Sequence, residues 1–449
     1  MARKGEKGDN VVHGARRRLR RPLLLRRPVL LRRPLLLRRP VLRGPLLLIL
    51  PAALLWLLPS RPALAQEPAW LPDGAQRPID NVYIYTYPQQ GGPAGPAAVV
   101  KPGFNILDEI KRAQAFLKGR TAGYARQFSE RKVTIVDRRG RKKLRLRFAE
   151  SVAPNFLLAV ENLHERELRA VLITDKGCAT DGFEVVRLRS NGVASRFQVL
   201  YPEEMAVLAI RTIVHGRYGG WEEVVYTPYS PEIDTPEVRR AGYEYLVDQI
   251  GLALADLERR QVRLRALGPL LYSDQLPDLI FVLSIIEHMD PERFKSCTAE
   301  QEDALIREVL TVIGANAENA YAYSKSPAGA RGLFQFMPAT YERIRRRYPA
   351  AALVRDFVQG STDHVNAAKA SLLLFDSDLA DLSRKLLLNA QDDMGAIGRL
   401  LAASYNCGPK RVQKSARECN DAWTCRLPAE TRIYLEKFDR VWEKRKNLP

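Results

Sequence analysis

Between Lys132 and about Tyr226 the chain alternates short apolar, β-branched runs with charged turns: Val133–Val136, Leu144–Phe148, Phe156–Val160, Ala170–Thr174, Phe183–Leu188, Phe197–Tyr201 and Trp221–Tyr226. Short runs of this kind bounded by turn residues are half-buried strands, so the stretch predicts an α+β or mostly β domain. One helical segment, Ile106–Leu117, precedes it. The period then changes. Asp234-Thr235-Pro236 offers a capping residue and a proline for a first helical turn, and Leu246, Ile250, Leu254 and Leu257 follow at three- and four-residue spacing until Gly268-Pro269. A long connecting helix over 234–268 is predicted. From Leu276 onward the pattern is helical almost throughout, with apolar stretches at Leu279–Ile286, Ala367–Phe375 and Ala396–Ala403. The expectation is an α+β multidomain chain, with an α+β domain of unassigned role over 104–230 and an α-helical domain over 270–449.

The 449 residues carry a net charge of +20, which points first to a polyanionic partner. Its distribution removes that reading. Residues 1–65 hold 16 Lys/Arg against Glu6 and Asp9, leaving 55 basic and 49 acidic residues, or +6, for the remainder. Most of the basicity is a leader, and no nucleic-acid partner is expected. Arg-Arg-Pro recurs at Arg20, Arg26, Arg32 and Arg38, and the apolar run Pro45–Pro59 is followed by Ala63-Leu64-Ala65. That run is short for a span of about 20 residues, and the small residues fit a signal-peptidase site. Residues 1–65 therefore predict a basic leader with a signal peptide and export to the periplasm or cell envelope. An uncleaved anchor, in inner-membrane contact through its basic arm, is the alternative. Residues 66–103, rich in Pro and Gly around a strand-like run Asn81–Tyr87, read as a linker or long loop.

Five cysteines without paired spacing suit disulfides in an exported chain, Cys419 and Cys425 being the best pair. The five histidines form no metal-ligand pattern, and no phosphate loop, dinucleotide fingerprint or Gly-x-Ser-x-Gly elbow is present. Metal, nucleotide and serine-hydrolase chemistry are disfavoured. One carboxylate stands out. The segment Leu279–Ile286 is apolar nearly all round and ends in Glu287, just ahead of Asp290-Pro291. Burial and the negative end of the helix dipole both keep a proton on such a carboxyl, which makes it a candidate general acid. The plainer alternative is a glutamate emerging into water where its helix ends.

Three blocks follow in order: Ser326-Pro327-Ala328-Gly329-Ala330-Arg331-Gly332-Leu333-Phe334-Gln335-Phe336-Met337-Pro338-Ala339-Thr340, then Tyr405-Asn406-Cys407-Gly408-Pro409, then Glu430-Thr431-Arg432-Ile433-Tyr434. Over about 276–438 the chain resembles the SLT-type lytic transglycosylases, which are goose-type lysozyme-like, and most nearly their membrane-bound D-type branch. The resemblance implies a lysozyme-like helical domain with Glu287 as the acid/base. It also implies Ser326 at the sugar's N-acetyl group, Gln335 on the glycan groove, Tyr405 facing the catalytic carboxyl, and Glu430 and Tyr434 closing the site. Taken singly, these residues also suit a turn cap (Ser326), a wall amide (Gln335), core (Tyr405) and an ion pair of Glu430 with Arg432 or Lys437.

The chain departs from the family in spacing. Glu287 lies 39 residues before Ser326, against about nine in the family, so a segment near Glu292–Asn319 is inserted and is expected to form an extra helix over the groove. Glu318, eight residues before Ser326, is the alternative acid. His288 replaces the serine that usually follows the catalytic glutamate. The resemblance implies cleavage of peptidoglycan glycan strands at the MurNAc-GlcNAc β-1,4 bond with formation of 1,6-anhydroMurNAc ends and no cofactor. A hydrolytic muramidase using the same glutamate, and a non-catalytic peptidoglycan-binding envelope protein, are the competing readings.

Overall fold

A computed structural model describes residues 104–136, 142–216, 220–267, 275–390, 393–419 and 422–448, all within the unit Pro78–Pro449. The leader, signal peptide, Pro/Gly-rich segment and Gly268-Pro269 lie outside the described residues. The chain has a helical C-terminal domain preceded by a sheet-containing domain, the predicted fold class.

The first domain opens with α1 (Ile106–Lys118), whose Asn105 side chain accepts from Leu107 N. A two-stranded ribbon follows, β1 (Tyr124–Val136) against β2 (Lys142–Pro154). The main sheet is antiparallel, in the order β5 (Gly177–Cys178), β4 (Glu167–Thr174), β3 (Phe156–Asn162), β8 (Met205–His215), β9 (Trp221–Tyr226). A hairpin of β6 (Glu184–Arg189) and β7 (Arg196–Tyr201) completes the strands. The strand β8 is absent from the alternating runs. Its sequence is apolar from Met205 to Ala209 and is buried at nearly every position, because a strand covered on both faces has no polar side to alternate. Ile106, Ile110, Ala113 and Leu117 of α1 cover one face of β3 and β8. Phe197 and Val199 of β7 join Leu158, Val160 and Val171 in the core on the other.

The connecting helix α2 runs Pro236–Arg259, shorter than the predicted 234–268. Thr235, not Asp234, caps it by accepting from Val238 N; the Asp234 carboxylate takes Arg239 (2.7 Å), Tyr229 Oη (3.1 Å) and Thr311 Oγ1 (3.1 Å) instead. At the other end, leaving the helix lets the backbone N–H groups of Arg265, Ala266 and Leu267 donate to the buried Asp376 carboxylate at 2.7–3.0 Å, stronger bonds than an exposed helical turn would offer there.

The inserted segment forms α4 (Pro291–Lys295) and α5 (Ala299–Asn316), the latter opened by a Thr298/Gln301 capping box. The helix α5 belongs to three cores at once. Leu305, Ile306, Val309, Leu310 and Ile313 enter the helical core, Val312 the core beside β7, and Ala315 the core beneath α1. Buried Asn316 donates to Thr227 O (2.8 Å) and accepts from Thr227 N (2.9 Å), continuing the sheet's hydrogen bonding into the helical domain. Rather than lying over a groove, the insertion fastens the two domains together. Its crossing with α2 is backbone-close. A Cβ on Gly314 would overlap the Val238 carbonyl, and one on Gly242 the Leu310 carbonyl, so glycine alone fits both positions.

Candidate functional site

The helix α3 (Leu276–Ile286) is buried along its whole last two turns, Leu279–Ile286, as a sequence apolar nearly all round requires, its one hydroxyl, on Ser284, donating to Phe281 O (2.7 Å). Glu287 is its C-cap, still in helical geometry, with its N–H donating to Leu283 O (3.2 Å). The chain then turns through Met289 to Asp290, which caps α4 by accepting from Glu292 N and Arg293 N. The carboxyl of Glu287 thus emerges where the negative end of a buried helix meets α12 (Ala429–Lys444).

Two side chains of α12 receive it. The Tyr434 hydroxyl donates to Glu287 Oε1 at 2.6 Å. One turn on, buried Lys437 (5% exposed) directs its Nζ to the carbonyls of Met289 and Ile286, which flank Glu287. Burial pushes the Glu287 carboxyl up to about 7; the Tyr434 bond and the Lys437 charge pull the other way, and the Glu430 charge adds to the rise. Burial likewise lowers the Lys437 ammonium to about 8. Lys437 is the residue the motif leaves out. Its three-residue spacing from Tyr434, on the same helical face, is the only signal of it in the sequence.

His288, next to Glu287, makes a bond of its own. Its Nε2 lies 2.9 Å from Leu333 O, and its ring stacks on Tyr321 (3.5 Å, 11°). Burial depresses its pKa to about 3, so it is neutral, with Nε2 the donor. This contact ties the end of α3 to the loop 324–336. Ser326 forms a tight turn there, its Oγ accepting from Ala330 N (3.0 Å). Gln335, at φ +44°, donates through Nε2 to Ser324 Oγ (2.9 Å) and Gly332 O (2.8 Å). Gly332 itself, at φ +75°, leaves no room for a Cβ against Ser361 O.

Tyr405, on α10 (Met394–Cys407), donates to Phe334 O (2.5 Å) and packs edge-on against Phe336 and Phe375. Burial and then the Glu287 charge hold its phenol well above the usual range. Thr431 Oγ1 donates to Asn406 Oδ1 (2.7 Å), joining the second sequence block to the third. Glu430, exposed in the first turn of α12, pairs with neither Arg432, which donates to Leu427 O, nor Lys437. Glu318 is placed apart. It is exposed on a 3₁₀ turn (Ala317–Asn319) beyond α5, and its charge is felt by Tyr245 and His364 rather than by Tyr434 or Lys437. The fold therefore gathers Glu287, Tyr434, Lys437, Tyr405 and the Leu333–Gln335 turn of the loop, while Glu318 faces solvent. Away from this site, Cys419 and Cys425 form the anticipated disulfide.

Residues 310–423 match the family model described as the transglycosylase SLT domain. That domain indicates peptidoglycan cleavage of the lytic-transglycosylase type, and hence action in the cell envelope. The matched span contains Ser326, Gln335, Tyr405 and Glu318; Glu287 precedes it, and Glu430 and Tyr434 follow it. No curated protein and no solved structure matches the chain. Among the described residues, no helix is long and apolar enough to cross a membrane.

Proposed function

We propose that this protein is a lytic transglycosylase, nearest the D-type branch, that cleaves the MurNAc-GlcNAc β-1,4 bond of exported peptidoglycan and leaves a 1,6-anhydroMurNAc end. The observation that carries this reading is the Glu287 carboxyl, half-buried at a helix end, held by Tyr434 at 2.6 Å and raised to about 7. A carboxyl poised there serves as acid and base in turn. In the first step Glu287 gives its proton to the glycosidic oxygen leaving C1 of MurNAc, and the substrate's own N-acetyl oxygen supports the cation that develops at C1. In the second, the Glu287 carboxylate takes the proton of the C6 hydroxyl as its oxygen bonds to C1. The proton lost is regained, and no water is consumed.

Tyr434 and Lys437 stabilise the carboxylate that exists between the two steps, while burial favours the acid needed before and after. Ser326 and Gln335 form the wall for the N-acetyl group and the glycan, Tyr405 fixes that wall through Phe334, and Glu430 guards the open side. Residues 45–65 direct export to the periplasm, where the glycan lies. The full chain, incubated with purified sacculi, should release fragments whose mass shows anhydro ends. Release should vanish with Glu287→Gln and survive Glu318→Gln. Loss with Glu318→Gln alone would move the acid to Glu318, and fragments heavier by one water would make the enzyme a muramidase. Binding without release would favour the non-catalytic envelope protein.

A further inference from the structure

The edge strand β9 begins with Trp221, whose indole is 49% exposed, and the ribbon β1–β2 begins with Tyr124, 41% exposed. These two rings border an open cleft of about 550 Å³ completed by Arg126, Ser151 and Val152. The strand register puts Tyr124, Arg126 and Val152 on one face of the ribbon, since Tyr124 pairs with Pro154 and Arg126 with Val152. The cleft is organised rather than incidental. The His215 ring meets the Trp221 indole edge-on at 5.6 Å, and the Arg126 guanidinium lies 6.0 Å from the Tyr124 ring centre. None of these residues belongs to the helical domain or to the Glu287 site.

Two exposed aromatic faces in one concavity, rimmed by a cation and a hydroxyl, suit one class of ligand. The flat face of a pyranose presents weakly positive C–H groups to the negative face of an aromatic ring, while its edge presents hydroxyls and, in muramyl sugars, acyl and carboxylate groups. A protein partner would call for a broad apolar centre sealed by a polar rim, whereas the described lining of this cleft sets two separate rings beside an arginine, a serine and a valine. We propose that the Trp221–Tyr124 cleft is an accessory subsite for peptidoglycan glycan, with the two rings stacking on sugar faces and Arg126 meeting carboxylate or N-acetyl oxygens. This assignment rests on the reading of the chain as a peptidoglycan enzyme. It gives the sheet domain the task of holding the polymer while the helical domain cuts it.

The test uses the full chain carrying Glu287→Gln, so that the polymer survives, sedimented with protein-free sacculi. Trp221→Ala with Tyr124→Ala should raise the sacculus concentration for half-binding about tenfold, and Trp221→Phe, which keeps a ring, should restore most of the affinity. The difference should persist in about 0.5 M salt, where surface charge acts over only a few ångströms. Parental binding by the double variant, or a difference that disappears in salt, overturns the proposal. The activity is read separately, on short soluble glycan fragments with Glu287 intact. If the parent chain cleaves nothing while the ring-dependent binding remains, the catalytic reading fails and the subsite stands. If the double variant cleaves short fragments at the parental rate but has lost sacculi, the cleft is confirmed as separate from the reacting groups.

Discussion

Two buried helices of the same domain are followed by a glutamate, and the two carboxyls meet opposite fates. The helix α3 hands over to Glu287 at its cap, and α5 is followed within two residues by Glu318. Both stand at the negative end of a helix dipole. At α3 a second helix, α12, closes over the end, bringing Tyr434 to the carboxyl and Lys437 to the carbonyls on either side. At α5 the chain leaves the core through Ala317 at φ +46°, and Glu318 turns out into solvent. The contrast teaches that a helix end perturbs a carboxyl strongly only where another element covers it. Propensity and spacing alone do not separate the two.

The sharpest way to break the comparison is to remove each carboxyl in turn. Glu287→Gln keeps the shape and the Tyr434 bond but removes the proton to be transferred, and should lower the initial rate of fragment release about a thousandfold, within the range for a lost general acid. Glu318→Gln changes an exposed side chain and should leave the rate within about twofold. Equal losses would mean that the two helix ends are not distinguished as described.

The next effect concerns how α5 is held. Gly314→Ala places a Cβ into the Val238 carbonyl, and Gly242→Ala places one into the Leu310 carbonyl. Since backbone cannot move aside as a side chain can, each should cost about 3 kcal/mol, measured by denaturant unfolding. The rate–pH profile of the surviving folded enzyme should keep its midpoint, because neither glycine touches Glu287. A midpoint that moved would show that α5 reaches the catalytic end after all.

Lys437 comes third. The groups facing Glu287 are Tyr434, Lys437, Glu430 and Tyr405, and among them Lys437 carries the positive charge that lowers the carboxyl. In the proposed mechanism the acid form does the first step, so the rate should fall as pH rises through about 7. Lys437→Met removes the cation, raises the carboxyl further, and should carry that falling limb about one unit upward while lowering the maximal rate about tenfold. Lys437→Arg should restore much of the limb's position. A rate loss with no movement of the limb would make Lys437 a packing residue only.

Much of this was legible in advance, for physical reasons that differ by element. The nearly all-apolar run ahead of Glu287 announced a buried helix, and the three ordered blocks announced segments that the fold brings into contact, Phe334 with Tyr405 and Asn406 with Thr431. Strand β8 was not legible as an alternating run, because Ala206–Ile210 is buried on both faces. The end of α2 was obscured by its best partner, Asp376, which lies over a hundred residues away. The insertion could be counted from spacing, but nothing local told that Val312 and Ala315 would face the sheet domain. Lys437 reads as an ion-pair partner of Glu430 until the turn Ile286–Met289 is in view, since what draws it inward is a pair of backbone carbonyls that no side-chain pattern records.

The smallest effect is the most diagnostic of burial. Free glutamate titrates near 4.5, and in the folded protein Glu287 is raised to about 7. A carboxyl whose folded value lies above its unfolded one favours folding most below the unfolded value, and that contribution is lost as pH rises to the folded value. The folded state therefore bears a cost above about pH 7 that it does not bear at pH 4. Glu287→Gln mimics the protonated form at every pH, so it escapes the cost, although it leaves Lys437 without a neighbouring negative charge. The two contributions oppose, and the net gain above neutrality should be about 1 kcal/mol. Thermal unfolding of the parent and of Glu287→Gln should coincide at about pH 4 and separate by a few degrees at about pH 8, the variant being the more stable. At Glu318, which is solvated at both pH values, the same substitution should open no gap. A gap of equal size at both glutamates, or none at either, would mean that α12 does not desolvate the end of α3, and the difference between the two helix ends would lose its cause.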